Sequence, residues 1–590
     1  MSPGLVPLTP DLAALLGALI PLEQPYYDAA SPGLAIAQTL KRLGVSVVFG
    51  VVGIPVVDVA DACTAQGMRF IGFRNEQSAS YAASAWGYLT GQPGVCLVVS
   101  GPGVVHALPG VLNAQANCWP LVLLGGSSET GQRGWGAFQE LTQVEVCRSY
   151  TKYAARPASA TQIPRTLQAA FRHAINGRPG PCYVDLPADF IQGTVAPVEE
   201  TWGPVARALT GPDASAVAQA VACLQAAKAP LVIIGKGVAL ARAEDTMREL
   251  IDRTNWPFLP TSMGKGVVSD NHPRCVSAAR SAALAEADVV LLLGARLNWM
   301  LHFGQRFRSD VKIIQADVCP EELGHNRSAH LTLAGDLSVT VAQLVQAIRC
   351  KPQFVPFDST HSVYWTSLAS HTQRNQAKLA AKCTDDAVPM SYHRAFTEIK
   401  TALQPVYDQV VLVSEGANTM DIARGMFDLA HPRRRLDAGT LATMGVGMGY
   451  AIAAQVYYAT QRVVAIVGDS AFGFSAMEAE TAVRAHLAPI IIVINNSGIY
   501  HGVASDSDYQ AKARSHTLPS TALSPNARYE LIAEAVGGKG YLARTPQELF
   551  QAVGDALGQS TLCLINCIIR PGSQQKLEFN WLPNKAQPKL

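Results

Sequence analysis

The chain holds 590 residues, room for about three or four folding units at roughly 100 to 200 residues each. Its 47 Lys and Arg against 45 Asp and Glu leave a formal charge of +2, which excludes the one-sign field that drives non-specific binding to nucleic acid or anionic membranes. Hydrophobic residues make up 48% and charged residues 16%, so global disorder is excluded and an unusually buried protein is expected.

Residues 1–30 read as an N-terminal extension. Their apolar run 12–22 is broken by Pro21 and has no basic flank, so it resembles neither a signal peptide nor a membrane span. From 31 to 195, short apolar runs at 45–49, 70–73, 95–99, 121–124 and 183–186 alternate with helical patterns, among them an Ala-rich helix over 78–88. A joint at 195–212 leads to a second stretch, 213–348, with strands expected at 231–234, 289–293 and 312–315. A polar joint, about 350–390, contains Pro352 and Pro356. The rhythm resumes over 391–570 with strands at 410–413, 463–467 and 490–494, and 571–590 form a tail. The expected class is α/β, three doubly wound parallel-sheet domains, with ligands beyond the carboxyl ends of the strands. The 12 cysteines fall singly, as Cys96 and Cys182 do inside apolar runs, and read as reduced core residues.

The strongest chemical signal starts where strand 463–467 runs into Gly468-Asp469-Ser470-Ala471. Ser475 and Glu478 have capping-box spacing, which predicts a helix from Met477. The next strand ends in Asn495-Asn496-Ser497-Gly498, one strand-helix-strand unit after Asp469, so both ends can share a sheet edge. A carboxylate from Asp469, an amide oxygen from Asn496 and a loop carbonyl at Gly498 are hard oxygen ligands. They leave positions on an octahedral Mg2+ open for water and two phosphate oxygens. The bland alternative is a pair of unrelated turns.

This pattern resembles the motif of thiamine-diphosphate enzymes, and the resemblance implies thiamine diphosphate and Mg2+ as cofactors, with Ser470 and Ala471 beside the diphosphate. Such an enzyme needs a carboxylic acid against the aminopyrimidine ring, in an apolar setting that raises its pKa. Glu76, within Phe73-Arg74-Asn75-Glu76-Gln77, fits; taken alone it is a helix-start glutamate. In Glu415-Gly416-Ala417-Asn418, small residues let backbone N–H groups approach a diphosphate, with Ala417 and Asn418 at the cofactor. Met444, in the segment 439–445, is by resemblance the apolar wedge that bends the cofactor; on chemistry alone it is a core residue. In this family the acid and the diphosphate site lie on different domains and the working site forms between subunits. That implies a dimer-based homo-oligomer, expected to be a tetramer.

From about 30 to 585 the chain is similar to the 2-hydroxyacyl-CoA lyases. The segments that carry this are Arg74 to Gln77, Ser100-Gly101-Pro102-Gly103, Asn117-Cys118-Trp119-Pro120, Gly125-Gly126-Ser127-Ser128, Ala137-Phe138-Gln139-Glu140, Ser414 to Met420 and Gly468 to Ser475. The last of these is shared with the sister family, the oxalyl-CoA decarboxylases. Resemblance to that sister assigns the coenzyme A nucleotide to Arg178, Lys236, Arg296 and Asp317. The cations suit phosphates and a strand-end aspartate suits ribose hydroxyls, although each alone reads as a surface charge or a loop salt bridge. Where the sister family carries Tyr-Glu, this chain has Phe138-Gln139, which better tolerates an apolar acyl chain; Gln139 is therefore expected at the reacting centre.

The implied reaction is lysis of a 2-hydroxyacyl-CoA, as in fatty acid α-oxidation, to formyl-CoA and an aldehyde one carbon shorter. Oxalyl-CoA decarboxylation and an acetolactate synthase-like reaction are the alternatives. Aldehyde departure requires a base for the 2-hydroxyl, and the cofactor's imino group, His106 and His501 all remain open. The segment 570–582, with Lys576, Phe579 and Trp581, is expected to close over the substrate as a lid. Terminal Pro588-Lys589-Leu590 differs from the peroxisomal Ser-Lys-Leu only at its first residue, so a peroxisomal address is expected, with the cytoplasm as alternative.

Overall fold

Three wholly parallel sheets follow one another along the chain, because each buried strand feeds a helix that returns to start the next strand at the same end. The computed structural model describes residues 31–194 and 203–572. The N-terminal extension, part of the first joint, the lid residues Lys576, Phe579 and Trp581, and the terminal tripeptide lie outside them.

The first sheet comprises β1 (Val47–Val51), β2 (Arg69–Gly72), β3 (Gly94–Val98), β4 (Leu121–Ser127), β5 (Tyr153–Ala155) and β6 (Pro181–Pro187), in the order β2-β1-β3-β4-β6-β5. The second has β7 (Pro230–Ile234), β8 (Phe258–Pro260), β9 (Val289–Leu293), β10 (Lys312–Asp317) and β11 (Leu331–Ala334), in the order β11-β10-β9-β7-β8. The third has β12 (Val410–Glu415), β13 (Arg435–Asp437), β14 (Arg462–Gly468), β15 (Ile490–Asn495), β16 (Lys539–Ala543) and β17 (Cys563–Ile568), in the order β13-β12-β14-β15-β17-β16. Central strands β4, β9 and β15 are buried along their whole length, which is why they read as unbroken apolar runs. The edge strands β5, β11 and β16 are half-exposed and carry no such run, and nothing in their sequence announces them.

The helices that matter for the site are α1 (Glu76–Thr90), α2 (Pro102–Asn117), α3 (Val363–Cys383), α4 (Ala417–Met426), α5 (Val446–Tyr457) and α6 (Glu478–Arg484). Helices α1 and α5 occupy equivalent places after β2 and β13, and they pack directly on each other. Tyr81 meets Tyr450 edge-on with ring centroids 6.4 Å apart. A Cβ on Gly449 would lie 2.6 Å from the Ser78 carbonyl, so only glycine permits this approach. One apolar cluster runs through all three sheets, joining Val98, Leu291 and Val467.

Three expectations are corrected. The polar joint 350–390 contains the 21-residue helix α3, which buries only Tyr364 and Leu368 and is tied to the middle domain by Asn375 Nδ2 donating to the Ala278 carbonyl, 2.8 Å. The Ser475–Glu478 capping box does not form. Glu478 instead accepts the backbone N–H groups of Arg74 and Asn75, 3.2 and 3.1 Å away, and Ser475 Oγ has no partner. A contact between domains has outcompeted the local cap. Finally, all twelve cysteines are free, but core burial holds only for some: Cys63, Cys96, Cys147, Cys182, Cys563 and Cys567 are buried, whereas Cys350 is exposed. No described helix is long and apolar enough to cross a membrane.

Candidate active site

Strands β14 and β15 are neighbours, with Gly468 in register with Ile494, so the residues that follow each strand emerge side by side. Asp469 is buried and its carboxylate accepts the N–H groups of Ser470 (2.8 Å) and Gly498 (3.1 Å). Burial pushes its carboxyl up to about 6, against the pull of those N–H groups. Asn496 is also buried; its Nδ2 donates to the Tyr500 carbonyl at 3.1 Å, and Asn418 Nδ2 reaches the same carbonyl at 3.2 Å. With Nδ2 committed, Oδ1 is the end of Asn496 left for a cation. The loop is tight: a Cβ on Gly498 would lie 2.1 Å from the His501 carbonyl. Among the described residues no group of three or more His, Cys, Asp or Glu gathers as a metal site, so a cation here takes one carboxylate and neutral oxygens. That donor set fits Mg2+.

The adjacent strand β12 delivers Gly416 at φ +94° and then helix α4, whose N-cap has no side-chain hydrogen bond. A Cβ on Gly416 would stand 3.3 Å from the Gly468 nitrogen, so the two glycines line one backbone cradle with Ala417, Asn418, Ser470 and Ala471 around it. Free N–H groups at a helix start suit a diphosphate.

Sequence reasoning missed Glu415, which closes β12. It is buried and accepts N–H groups from Gly445, Val446 and Gly447 at the start of α5; the last is 2.7 Å away. Burial pushes its carboxyl up to about 7, opposed by those three donors. Its work is to hold the turn behind Met444, which is half-buried. A glutamate between an apolar strand and Gly416 was the available signal.

Glu76 is the first residue of α1, capped by Asn75. Its side chain is 13% exposed, and its Oε2 lies 3.3 Å from His106 Nδ1. The neighbouring backbone at Arg74 and Asn75 docks on Glu478 of the same chain. Gln139 sits at φ +53°, accepts from Ser100 Oγ at 3.0 Å, and presses its carbonyl against Gly101. Phe138 beside it is 74% exposed.

The four residues assigned to coenzyme A do come together: Arg178, Lys236, Arg296 and Asp317 line one cavity of about 60 Å³. Arg178 is already engaged, 3.0 Å from Glu322 and 3.4 Å from Asp317, so the expected phosphate and ribose ligands hold each other. Lys236 donates to Asn117 Oδ1 at 2.6 Å, and burial, with Arg296 nearby, brings its ammonium down to about 7.

A cavity of about 1110 Å³ lies between the middle domain, α3 and the far end of α4. Arg280, His302, Asn375, Lys378, Lys382 and Arg424 stand on its wall beside apolar Leu259, Leu379 and Met426. Arg280 donates to the Met300 carbonyl (2.6 Å) and lies 3.3 Å from His302 Nε2. Burial and the cations Arg306 and Arg280 push His302 down to about 4, so it is neutral, and its Nδ1 is without a partner.

The three sheets match three family models: the thiamine pyrophosphate enzyme N-terminal TPP binding domain over residues 33–146, the central domain over 217–344, and the C-terminal TPP binding domain over 415–567. The fold and the polar edge of the third sheet are thus those of a thiamine-diphosphate enzyme. The chain is 48% identical to 2-hydroxyacyl-CoA lyase 1 of Mus musculus and 47% to that of Homo sapiens, each over 94% of this chain and 97% of the relative. Oxalyl-CoA decarboxylase of Escherichia coli is 40% identical over 91% of this chain and 94% of its own length. The chain belongs to the 2-hydroxyacyl-CoA lyase family.

Proposed function

We propose that this chain cleaves 2-hydroxyacyl-CoA thioesters to formyl-CoA and an aldehyde one carbon shorter, using thiamine diphosphate and Mg2+. The observation that carries the reading is the shared edge of β12, β14 and β15, which brings one buried carboxylate, two amides and a two-glycine cradle together. Bound thiamine diphosphate supplies a nucleophilic carbon and an electron sink for the carbanion left when the carbon–carbon bond breaks. Asp469, Asn496 and the Gly498 carbonyl hold the metal; Ala417, Asn418, Ser470 and Ala471 hold the diphosphate; Met444 is the apolar wedge. Glu76 is the acid for the pyrimidine ring, with His106 positioned to exchange its proton. His501 serves as base for the 2-hydroxyl: its Nδ1 faces the Gly502 carbonyl at 3.3 Å, which leaves Nε2 for the substrate.

For the thioester's nucleotide end, the large cavity is a better fit than the small one. Helix α4 runs about 15 Å from the diphosphate cradle to that cavity wall, where Lys378 and Lys382 stand beside apolar Leu379; Arg178 is paired with Glu322, as Arg424 is with Asp421 and Asp437. Exposed apolar side chains cluster on the loops that carry site residues, namely Trp135, Phe138, Leu441, Phe474 and Met477. Exposed apolar side chains on both end domains support a second subunit closing over the site, with Glu76 of one chain serving Asp469 of another. We also assign the terminal Pro588-Lys589-Leu590 as a peroxisomal address; a reporter fused to the last dozen residues gives punctate signal if so and diffuse signal if not.

The test of function is one assay: purified protein with thiamine diphosphate and Mg2+ receives 2-hydroxyacyl-CoA and oxalyl-CoA side by side. Formyl-CoA with the shortened aldehyde is expected from the first. Turnover of oxalyl-CoA alone overturns the reading.

A further inference from the structure

The loop from Gly439 to Gly445 carries Met444 into helix α5, and buried polar side chains hold both of its ends. At the far end stands Glu415. At the near end stands Asn117, the last residue of α2 in the first domain and buried. Asn117 Oδ1 accepts from the backbone N–H of Thr440 (3.2 Å) and from Lys236 Nζ (2.6 Å). The Thr440 N–H can only donate, which settles the orientation of the amide. Its Nδ2 donates to Asn113 Oδ1 at 3.0 Å, and Asn113 Nδ2 donates to the Tyr450 hydroxyl on α5 at 2.5 Å.

The middle domain grips the same point. Arg296 Nη2 donates to the Ala116 carbonyl (2.5 Å) and Thr440 Oγ1 (3.0 Å), and Trp299 Nε1 donates to the Thr440 carbonyl (2.8 Å). Thr440 is therefore held by residues of the first and second domains, four positions before Met444. The fit has no slack: Gly439 lies at φ +64°, and a Cβ there would stand 2.1 Å from Asn117 Oδ1.

We propose that Asn117 is a positioning residue for the cofactor wedge: the first and middle domains, through Asn117 and the Lys236–Arg296–Trp299 grip around it, set the Met444 loop of the third. This rests on the thiamine-diphosphate reading above. An untethered loop must be ordered when the cofactor binds, and that ordering cost appears as lost affinity. The amide thus acts on cofactor binding through the Thr440 backbone.

The experiment titrates thiamine diphosphate with Mg2+ into cofactor-free wild type, Asn117→Ala, Asn117→Asp and Gly439→Ala, read by calorimetry, with Tm and the KM for acyl-CoA measured on the same preparations. Loss of the tether in Asn117→Ala, or its displacement in Gly439→Ala, weakens cofactor Kd by about tenfold. The KM for acyl-CoA stays within about twofold, and Asn117→Asp, which keeps the acceptor for Thr440 and Lys236 and is matched when the Asn113 amide turns to donate to it and accept from the Tyr450 hydroxyl, returns Kd to within about threefold of wild type. Wild-type Kd in both Asn117→Ala and Gly439→Ala overturns the proposal. So does an equal loss of cofactor affinity, acyl-CoA affinity and Tm, or an Asn117→Asp as weak as Asn117→Ala. Failure of the underlying reading is distinct, since the wild-type chain then binds no thiamine diphosphate at all, and the proposal falls with it.

Discussion

The first and third sheets have the same strand order: β2-β1-β3-β4-β6-β5 maps strand for strand onto β13-β12-β14-β15-β17-β16. What differs is the residue at each carboxyl end. Strand β3 opens into Val99-Ser100-Gly101, where its counterpart β14 opens into Gly468-Asp469. Strand β4 ends at Gly126-Ser127, where β15 ends at Asn495-Asn496; β1 runs into Val52-Gly53, where β12 ends at Glu415-Gly416. On the proposed reading, one copy of the scaffold carries the metal and diphosphate chemistry, and the other contributes Glu76 and a neutral lining. The chemistry lives in a handful of strand-end residues, and the fold they stand on is indifferent to it.

The comparison can be broken by moving chemistry off either copy. Asp469→Ala removes the metal carboxylate of the third sheet, worth several kcal/mol, and should lower kcat/KM by at least about a thousandfold; near-normal turnover would place the metal elsewhere. Glu76→Gln, on the first sheet, should lower kcat by about a hundredfold to ten-thousandfold, as expected for a lost general acid, while cofactor affinity stays close to wild type. Arg280→Ala sharpens the contrast with the middle domain: it should raise the KM for acyl-CoA by about tenfold or more with kcat little changed, and Arg178→Ala should do less. The reverse order would return the nucleotide to the small cavity.

The smallest effect concerns stability. Glu415, on the third sheet only, has its carboxyl pushed up from 4.5 to about 7 by burial. The native state then binds more protons than the unfolded state across that window, so stability falls as pH rises from about 4.5 to 7. Glu415→Gln should flatten this slope in cofactor-free protein, seen as a smaller drop in Tm between those pH values; an unchanged slope would remove Glu415 from the account.

Much of this division is written in the chain. The apolar runs of β4, β9 and β15 and the spacing of Asp469 to Asn496 needed no coordinates, since a strand buried on both faces leaves an unbroken run and a polar strand end stands out against it. The edge strands β5, β11 and β16 left no such trace because half their surface faces water. Helix α3 was hidden because it buries only two side chains and shows no apolar face. The partners of Glu478, Glu415 and Asn117 were illegible for another reason: each is a side chain whose hydrogen bonds go to a distant part of the chain, and local pattern has no access to that. Glu478 shows the risk, since its spacing from Ser475 satisfied a local rule that a contact between domains overrode.

The claim that two copies of one sheet divide a single cofactor site is tested most directly by calorimetric titration of thiamine diphosphate and Mg2+ into cofactor-free Asp469→Ala and Glu76→Gln, alongside wild type. The account predicts no measurable binding to Asp469→Ala, and binding to Glu76→Gln close to that of wild type in a protein that releases aldehyde about a hundredfold to ten-thousandfold more slowly. Wild-type affinity in Asp469→Ala, or aldehyde release at the wild-type rate by Glu76→Gln, would contradict it.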